Sequence, residues 1–143
     1  MRQVIDATDL LVGRMGTVVA KRLLEGESID IINAEKAVIS GNKKFILQDY
    51  RERKLLGAPM RGPYYPKRPD MILRRMIRGM LPYAKPRGKE AFARLMCYMS
   101  VPSEFAEKKA ETIVAAKYSK LPNFKYITIK QISAELGFNM NDE

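Results

Sequence analysis

The chain contains no histidine, no tryptophan and a single cysteine, Cys97. Without histidine it lacks the usual general base, the commonest zinc ligand and the side chain that changes charge near neutrality. One cysteine excludes an internal disulfide and a cysteine metal cage, and suits a reducing, cytoplasmic setting. Long apolar runs are also missing. The longest stretch free of charged residues is nine, Leu95 to Ser103, against the roughly 18 to 20 apolar residues of a membrane span. Arg2, Asp6 and Asp9 precede any apolar run, so no secretion signal is expected. What remains is globular in composition: 143 residues, 46% apolar and 29% charged. That length supports one hydrophobic core, and no repeat or low-complexity linker argues for a second domain, so residues 1–143 are expected to form a single one.

Charge is abundant but uneven. The net charge is +10, and the segment from Lys43 to Arg94 carries 15 Lys or Arg against four acidic residues, whereas the rest of the chain is close to neutral. A charge excess confined to one region creates a local field that attracts a polyanion. Nucleic acid is therefore favoured over an anionic membrane, an acidic protein surface or no partner. Nine of the 15 are arginine, whose planar fork suits bidentate phosphate contacts.

Periodicity predicts an α/β body. Val4 to Ala7 reads as a strand, Met15, Val18, Val19 and Leu23 share a helical face closed by Gly26, and Ser28 to Asn33 reads as a second strand. This order predicts a βαβ unit and a parallel sheet. Ala37 to Ile39 suggests another short strand and Lys43 to Leu56 a helix. Four prolines between Pro59 and Asp70 preclude a regular helix there. Helix is expected again over Met71 to Leu81 and Glu90 to Leu95, and a buried strand over Leu95 to Val101. Ser103 to about Lys117 has helical composition, Tyr126-Ile127 suggests a last strand, and Thr128 with Gln131 has the spacing of a capping box.

Four basic groups stand out. On the Lys43–Leu56 helix they are Lys43, Lys44, Arg51, Arg53 and Lys54. The proline-braced loop adds Arg61, Lys67 and Arg68, with Tyr64 and Tyr65 as rings that can stack on a base or pack back on the protein. Arg74, Arg75 and Arg78 cluster on one helical face, and Lys85, Arg87 and Lys89 form a second basic turn. Together they predict one footprint within 43–94, and irregular folded RNA suits it better than a DNA major groove because no zinc-finger, zipper or helix-turn-helix spacing occurs. Gly13-x-x-Gly16 reads as a packing turn rather than a phosphate loop, since neither GxGxxG nor Gly-Lys-Ser/Thr follows. Asp6 and Asp9 have a sufficient use in helix capping, and Cys97, among Leu95, Met96 and Met99, reads as a small buried hydrophobe. No catalytic or metal-binding set emerges. A small enzyme acting on RNA or a nucleotide is the alternative, weakened by the lack of a base–nucleophile pair.

Met76-Ile77-Arg78-Gly79-Met80-Leu81-Pro82, followed by Lys85-Pro86-Arg87-Gly88, resembles the family of ribosomal protein L13 of the large subunit. Leu11-Val12-Gly13-Arg14-Met15-Gly16, Ile32-Asn33-Ala34-Glu35 and Val38-Ile39-Ser40-Gly41 extend the resemblance over most of 3–101. The Tyr- and Pro-rich stretch before Met71 and the tail from Lys125 look like the archaeal and eukaryotic branch, and the short tail favours an archaeal member. The resemblance implies a three-layer α/β/α fold around a parallel four-stranded sheet with basic proline-rich loops. It implies a structural, assembly-supporting role on large-subunit ribosomal RNA beside neighbouring ribosomal proteins. No enzymatic activity, cofactor, membrane contact or obligate homo-oligomer is expected, and the location implied is the cytoplasmic large subunit.

Overall fold

A computed structural model describes residues 2–122 and 125–139. Strand β1 (Arg2–Asp6) leads into helix α1 (Val12–Leu24) and back to β2 (Ser28–Ile32), which pairs with β1 in parallel. Later β4 (Leu95–Cys97) joins the other side of β2, also in parallel, giving a sheet of order β1-β2-β4. Between them lie β3 (Val38–Ser40) and helices α2 (Lys43–Leu55), α3 (Pro69–Arg78) and α4 (Pro86–Ala93). The chain then runs through β5 (Tyr126–Thr128) into α5 (Ile129–Glu135).

Strand alternation divides the sheet's side chains between two apolar clusters. Ile5, Ile29 and Ile31 enter the main core with Met15, Val19 and Leu23 of α1 and with Ile72, Leu73 and Ile77 of α3. Val4 and Ile32 instead pack with Phe105, flanked by Tyr98 and Ala110. The outer edge of β1 is partly covered: Glu111 donates its amide to the Val4 carbonyl at 2.8 Å and accepts from the Asp6 amide at 3.0 Å. Burial pushes the Cys97 thiol up, outweighing the opposite pull of nearby Arg74, and so favours its neutral form.

The expected four-stranded parallel sheet does not form. Among the described residues the strands split into a three-stranded parallel sheet and a separate antiparallel pair, β3 with β5, in which Val38 faces Thr128 and Ser40 faces Tyr126. The reason is connection length. Only Asn33 to Ala37 separate β2 from β3, whereas a parallel neighbour needs a crossover of about a dozen residues. Asn33, in the left-handed region at φ 55°, and a 3-10 turn over Ala34–Lys36 redirect the chain instead. The expected helix over 103–117 reduces to short 3-10 turns at Ser103–Phe105 and Val114–Ala116. Phe105 belongs to the smaller cluster and Ile113 and Ala116 to the main core, so these apolar residues serve different surfaces.

Two prolines begin helices. Pro69 and Pro86 occupy the first turns of α3 and α4, where a missing N–H costs nothing. The capping box forms as its spacing predicts: the Gln131 amide donates to Thr128 Oγ1, and the Thr128 amide donates to Gln131 Oε1, both at 3.3 Å. Asp6 does not cap α1, which has no side-chain cap. Its carboxylate accepts from the Thr8 amide and hydroxyl at 2.9 and 2.6 Å and from Asn33 Nδ2 at 3.1 Å, tying the ends of β1 and β2.

Gly88 explains part of the Lys85-Pro86-Arg87-Gly88 motif. A Cβ there would lie 2.0 Å from the Pro82 carbonyl oxygen and 2.8 Å from the Tyr83 nitrogen, both backbone atoms. The corresponding close approach at Gly16 is to the sulfur and methyl of Met80, the far end of a flexible side chain. Gly88→Ala is therefore expected to destabilise by about 2–3 kcal/mol or more through overpacking. Gly16→Ala should change stability by less than about 1 kcal/mol, because helix propensity offsets the movement of Met80. Urea unfolding of the two variants checks the contrast.

Burial opposes ionisation of Asp6, but the Thr8 and Asn33 hydrogen bonds outweigh it and hold the carboxyl below its ordinary value. The carboxylate thus adds stability at pH values above the unfolded carboxylate range, and this is lost as the pH falls through its lower folded pKa. Asp6→Asn is expected to be less stable near neutrality, with the difference from the parent shrinking as the pH falls. Chemical unfolding midpoints taken between neutrality and about pH 3 measure it.

Candidate nucleic-acid interface

Helix α3 is the support of the basic region. Pro69, Ile72, Leu73 and Ile77 are buried and bind it to the core, which leaves its arginines around the remaining circumference. They do not share one face. Arg74 turns inward: its Nε donates to the Leu95 carbonyl at 3.2 Å, and its guanidinium lies 4.2 Å from the centre of the Phe92 ring. Arg75 lies 4.7 Å over Tyr65, and Arg78 lies 5.3 Å over Tyr83. Arg75 and Arg78 have no carboxylate partner among the described residues.

Helix α2 is mostly exposed; of its residues only Tyr50 is buried. Asn42 caps it by accepting the Lys44 amide at 3.0 Å. Its cations divide along its length. Lys43 and Lys44 are exposed, whereas Arg51 pairs with Glu135 and Lys54 donates to the Leu136 carbonyl at 3.1 Å. Both of the latter contacts fasten α2 to the C-terminal end of α5, where helix carbonyls favour cations. Arg53 pairs with Asp49 at 2.9 Å and also lies 5.1 Å over the Tyr50 ring.

The two tyrosines of the proline-rich loop separate. Tyr64 is 72% exposed and Tyr65 is half-buried, its ring meeting Tyr50 edge-on at 5.8 Å. Burial pushes the Tyr50 phenol up, and the adjoining Tyr65 adds to the effect. Burial alone would lower the Arg53 pKa, but the hydrogen bond to Tyr65 and the nearby Asp49 carboxylate together outweigh it and hold that guanidinium more firmly protonated. In the same loop Arg61 and Lys67 are exposed, and Arg68 contacts Asp70 at 3.4 Å. The Lys67 carbonyl accepts the Ser133 hydroxyl at 2.6 Å, anchoring the loop's end to α5. Lys85, Arg87 and Lys89 are exposed around the start of α4.

Between the end of α2, the loop and the C-terminal half of α3 lies an open groove of about 670 Å³. Arg53, Arg61, Arg75 and Arg78 line it together with Tyr65 and Met76, and among the described residues no acidic one does. Three of these guanidiniums rest on tyrosine rings: Arg53 does so beside its Asp49 partner, and Arg75 and Arg78 do so with no carboxylate partner among the described residues. A carboxylate would orient an arginine but neutralise it, whereas a ring face orients it and leaves its charge for a ligand. The groove can therefore hold an anion by charge-assisted hydrogen bonds. Leu56 and Met76 were invisible as groove residues in the sequence, where an apolar residue at helical spacing reads as core. A smaller cleft outside 43–94 joins Arg2, Lys108 and Lys109 near Glu111. These cations are far apart in the chain, and no local pattern marks them.

A profile of the ribosomal protein L13 family matches residues 1–104. Relatives named large ribosomal subunit protein uL13 extend the similarity. The one from Methanosarcina barkeri is 49% identical over 135 residues, covering 94% of this chain and 96% of its own. That from Thermoplasma acidophilum is 47% identical over 135 residues, covering 94% and 98%. A third, from Methanopyrus kandleri, is 45% identical over 139 residues, covering 96% and 87%.

The unequal settings of the two loop tyrosines make a direct test. Tyr65→Leu removes the edge contact with Tyr50 and the ring beneath Arg75, and should cost about 1 kcal/mol or more, lowering Tm by several degrees. Tyr64→Leu should stay within about 0.5 kcal/mol of the parent. Thermal unfolding followed by circular dichroism distinguishes them.

Proposed function

The chain belongs to the ribosomal protein L13 family, as an archaeal-type member, and from that premise we propose that it is a structural constituent of the large ribosomal subunit. It binds large-subunit ribosomal RNA and supports subunit assembly, acting as one domain with its RNA-facing region at 43–94. The observation that supports this reading is the groove, in which three of the four arginines rest on tyrosine rings and no carboxylate among the described residues lines the wall. RNA supplies the matching ligand: closely spaced phosphates that position a protein without regard to sequence. The role is structural rather than catalytic. Neighbouring large-subunit proteins are the further partners, with no membrane contact and no obligate homo-oligomer, and the location is the cytoplasmic ribosome. No helix among the described residues is long and apolar enough to cross a membrane.

The outward-facing cations of this reading are Lys43, Lys44, Arg61, Lys67, Lys85, Arg87 and Lys89, with Arg75 and Arg78 at the groove and Tyr64 as the exposed ring. Arg51, Lys54 and Arg74 also hold the protein's own parts together, so their removal would act first on stability.

Two measurements test this. In assembled subunits, RNA cross-links should concentrate within 43–94; a majority from 103–139 would overturn the placement. In salt titrations with a ribosomal RNA fragment, Arg75→Ala and Arg78→Ala should each make the slope of log affinity against log salt shallower, by roughly 0.7 to 0.9 for every phosphate that the variant no longer neutralises. Arg74→Ala should instead lower the unfolding midpoint, since it strands the Leu95 carbonyl that Arg74 Nε serves.

A further inference from the structure

The arginine groove is too large for a phosphate contact alone. Its volume of about 670 Å³ falls in the range of sites that enclose an organic ligand. Its chemistry is also mixed. Four guanidiniums are contributed by three segments, while Leu56, Pro63 and Met76 add apolar surface and Tyr65 an aromatic one. Among the described residues no Asn, Gln, Asp or Glu lines it.

A continuous RNA duplex does not match this shape. Its phosphates lie on a convex surface and its bases face inward, and the A-form major groove is too narrow and deep for side chains to read. Such a duplex could touch the arginines but would leave the apolar concavity empty. A base that has left the stack presents the complementary pattern, a flat and largely apolar ring system between two phosphodiesters. Arginine planes and aromatic side chains are suitable surfaces for it.

Building on the RNA-binding reading above, we propose that this groove captures one unstacked nucleotide of the RNA. The base lies against Leu56, Pro63, Tyr65 and Met76, and the flanking phosphates meet Arg53, Arg61, Arg75 and Arg78. The protein thereby recognises a bulge or sharp backbone turn in preference to an uninterrupted helix. Because the lining offers no carboxylate or amide side chain to the base edge, capture is tolerant of base identity.

The test uses the full chain and three fluorescently labelled RNA hairpins with the same stem: one uninterrupted, one with a single bulged nucleotide, and one with an abasic residue at the bulge. Anisotropy titrations at physiological salt should show the bulged hairpin bound about tenfold tighter than the uninterrupted one, the scale of one stacked base. The abasic hairpin should forfeit roughly threefold or more of that advantage, because phosphates alone remain. In the double variant Leu56→Ser/Met76→Gln, which leaves every charge in place, the bulge preference should fall by a similar factor, with circular dichroism confirming the fold. Equal affinity of the parent for bulged and uninterrupted hairpins overturns the proposal while leaving RNA binding intact. An abasic bulge bound as tightly as the intact one overturns base capture, and a preference retained by the double variant overturns the assignment to this groove. Failure to bind any of the three overturns the RNA-binding reading and this proposal with it.

Discussion

Mutual repulsion among cations is the constraint that the rest of this structure answers. Fifteen basic residues lie between Lys43 and Arg94 with only four acidic ones among them, so the segment must fold against its own field before any RNA arrives. Pairing every cation with a carboxylate would remove the repulsion and the binding capacity together. Several arginines use aromatic rings instead, Arg74 on Phe92, Arg75 on Tyr65 and Arg78 on Tyr83, while Arg53 lies on Tyr50 in addition to its ion pair with Asp49. A ring attracts the guanidinium through its quadrupole and covers its flat face while leaving the net charge unchanged. Other cations reach backbone carbonyls, as Arg74 does at Leu95 and Lys54 at Leu136. These contacts also spread the cations apart in different directions.

Such an arrangement needs a rigid support, which the core supplies through α3. Ile72, Leu73 and Ile77 are fully buried, so the direction of every arginine on that helix is set by the packing of the opposite side. The Gly88 backbone approach to Pro82 fixes how α4 follows α3 and keeps Phe92 and Tyr83 edge to face at 5.5 Å. Those are the rings under Arg74 and Arg78. The motif that marks the family therefore combines an arginine for the surface with small and apolar residues that set its position. Helix α2 is held more loosely, by Tyr50, by the partly buried Ile46 and Leu47 and by polar contacts to α5. Phe45 and Leu55 remain exposed on it.

Local signals survived the passage from sequence to structure where one element could satisfy them alone. The first strand, helix and strand, the capping box at Thr128 and the burial of Cys97 all belong to that class. The four-stranded sheet does not, because strand identity says nothing about partner: β3 is a strand, yet its short link to β2 sends it to β5, about 90 residues downstream. The 103–117 segment failed for a related reason, since its apolar residues are divided between two separate clusters.

Charge position is a one-dimensional property, so the basic region, its arginine bias and the broad class of ligand could be read from composition and order. The family motif, a linear pattern, was legible in the same way. Side-chain direction is not linear. Tyr64 and Tyr65 are neighbours of identical chemistry, and only packing against Tyr50 separates an exposed ring from one built into the protein. Arg74 and Arg75 are likewise adjacent, but successive helical residues are rotated by about 100°, so one meets the Leu95 carbonyl and the other the groove. The sequence by itself determined that the chain carries a cationic, aromatic segment suited to a polyanion. Tertiary structure decided which cations face outward and that four of them surround a concavity, because both depend on contacts between segments that local pattern does not specify.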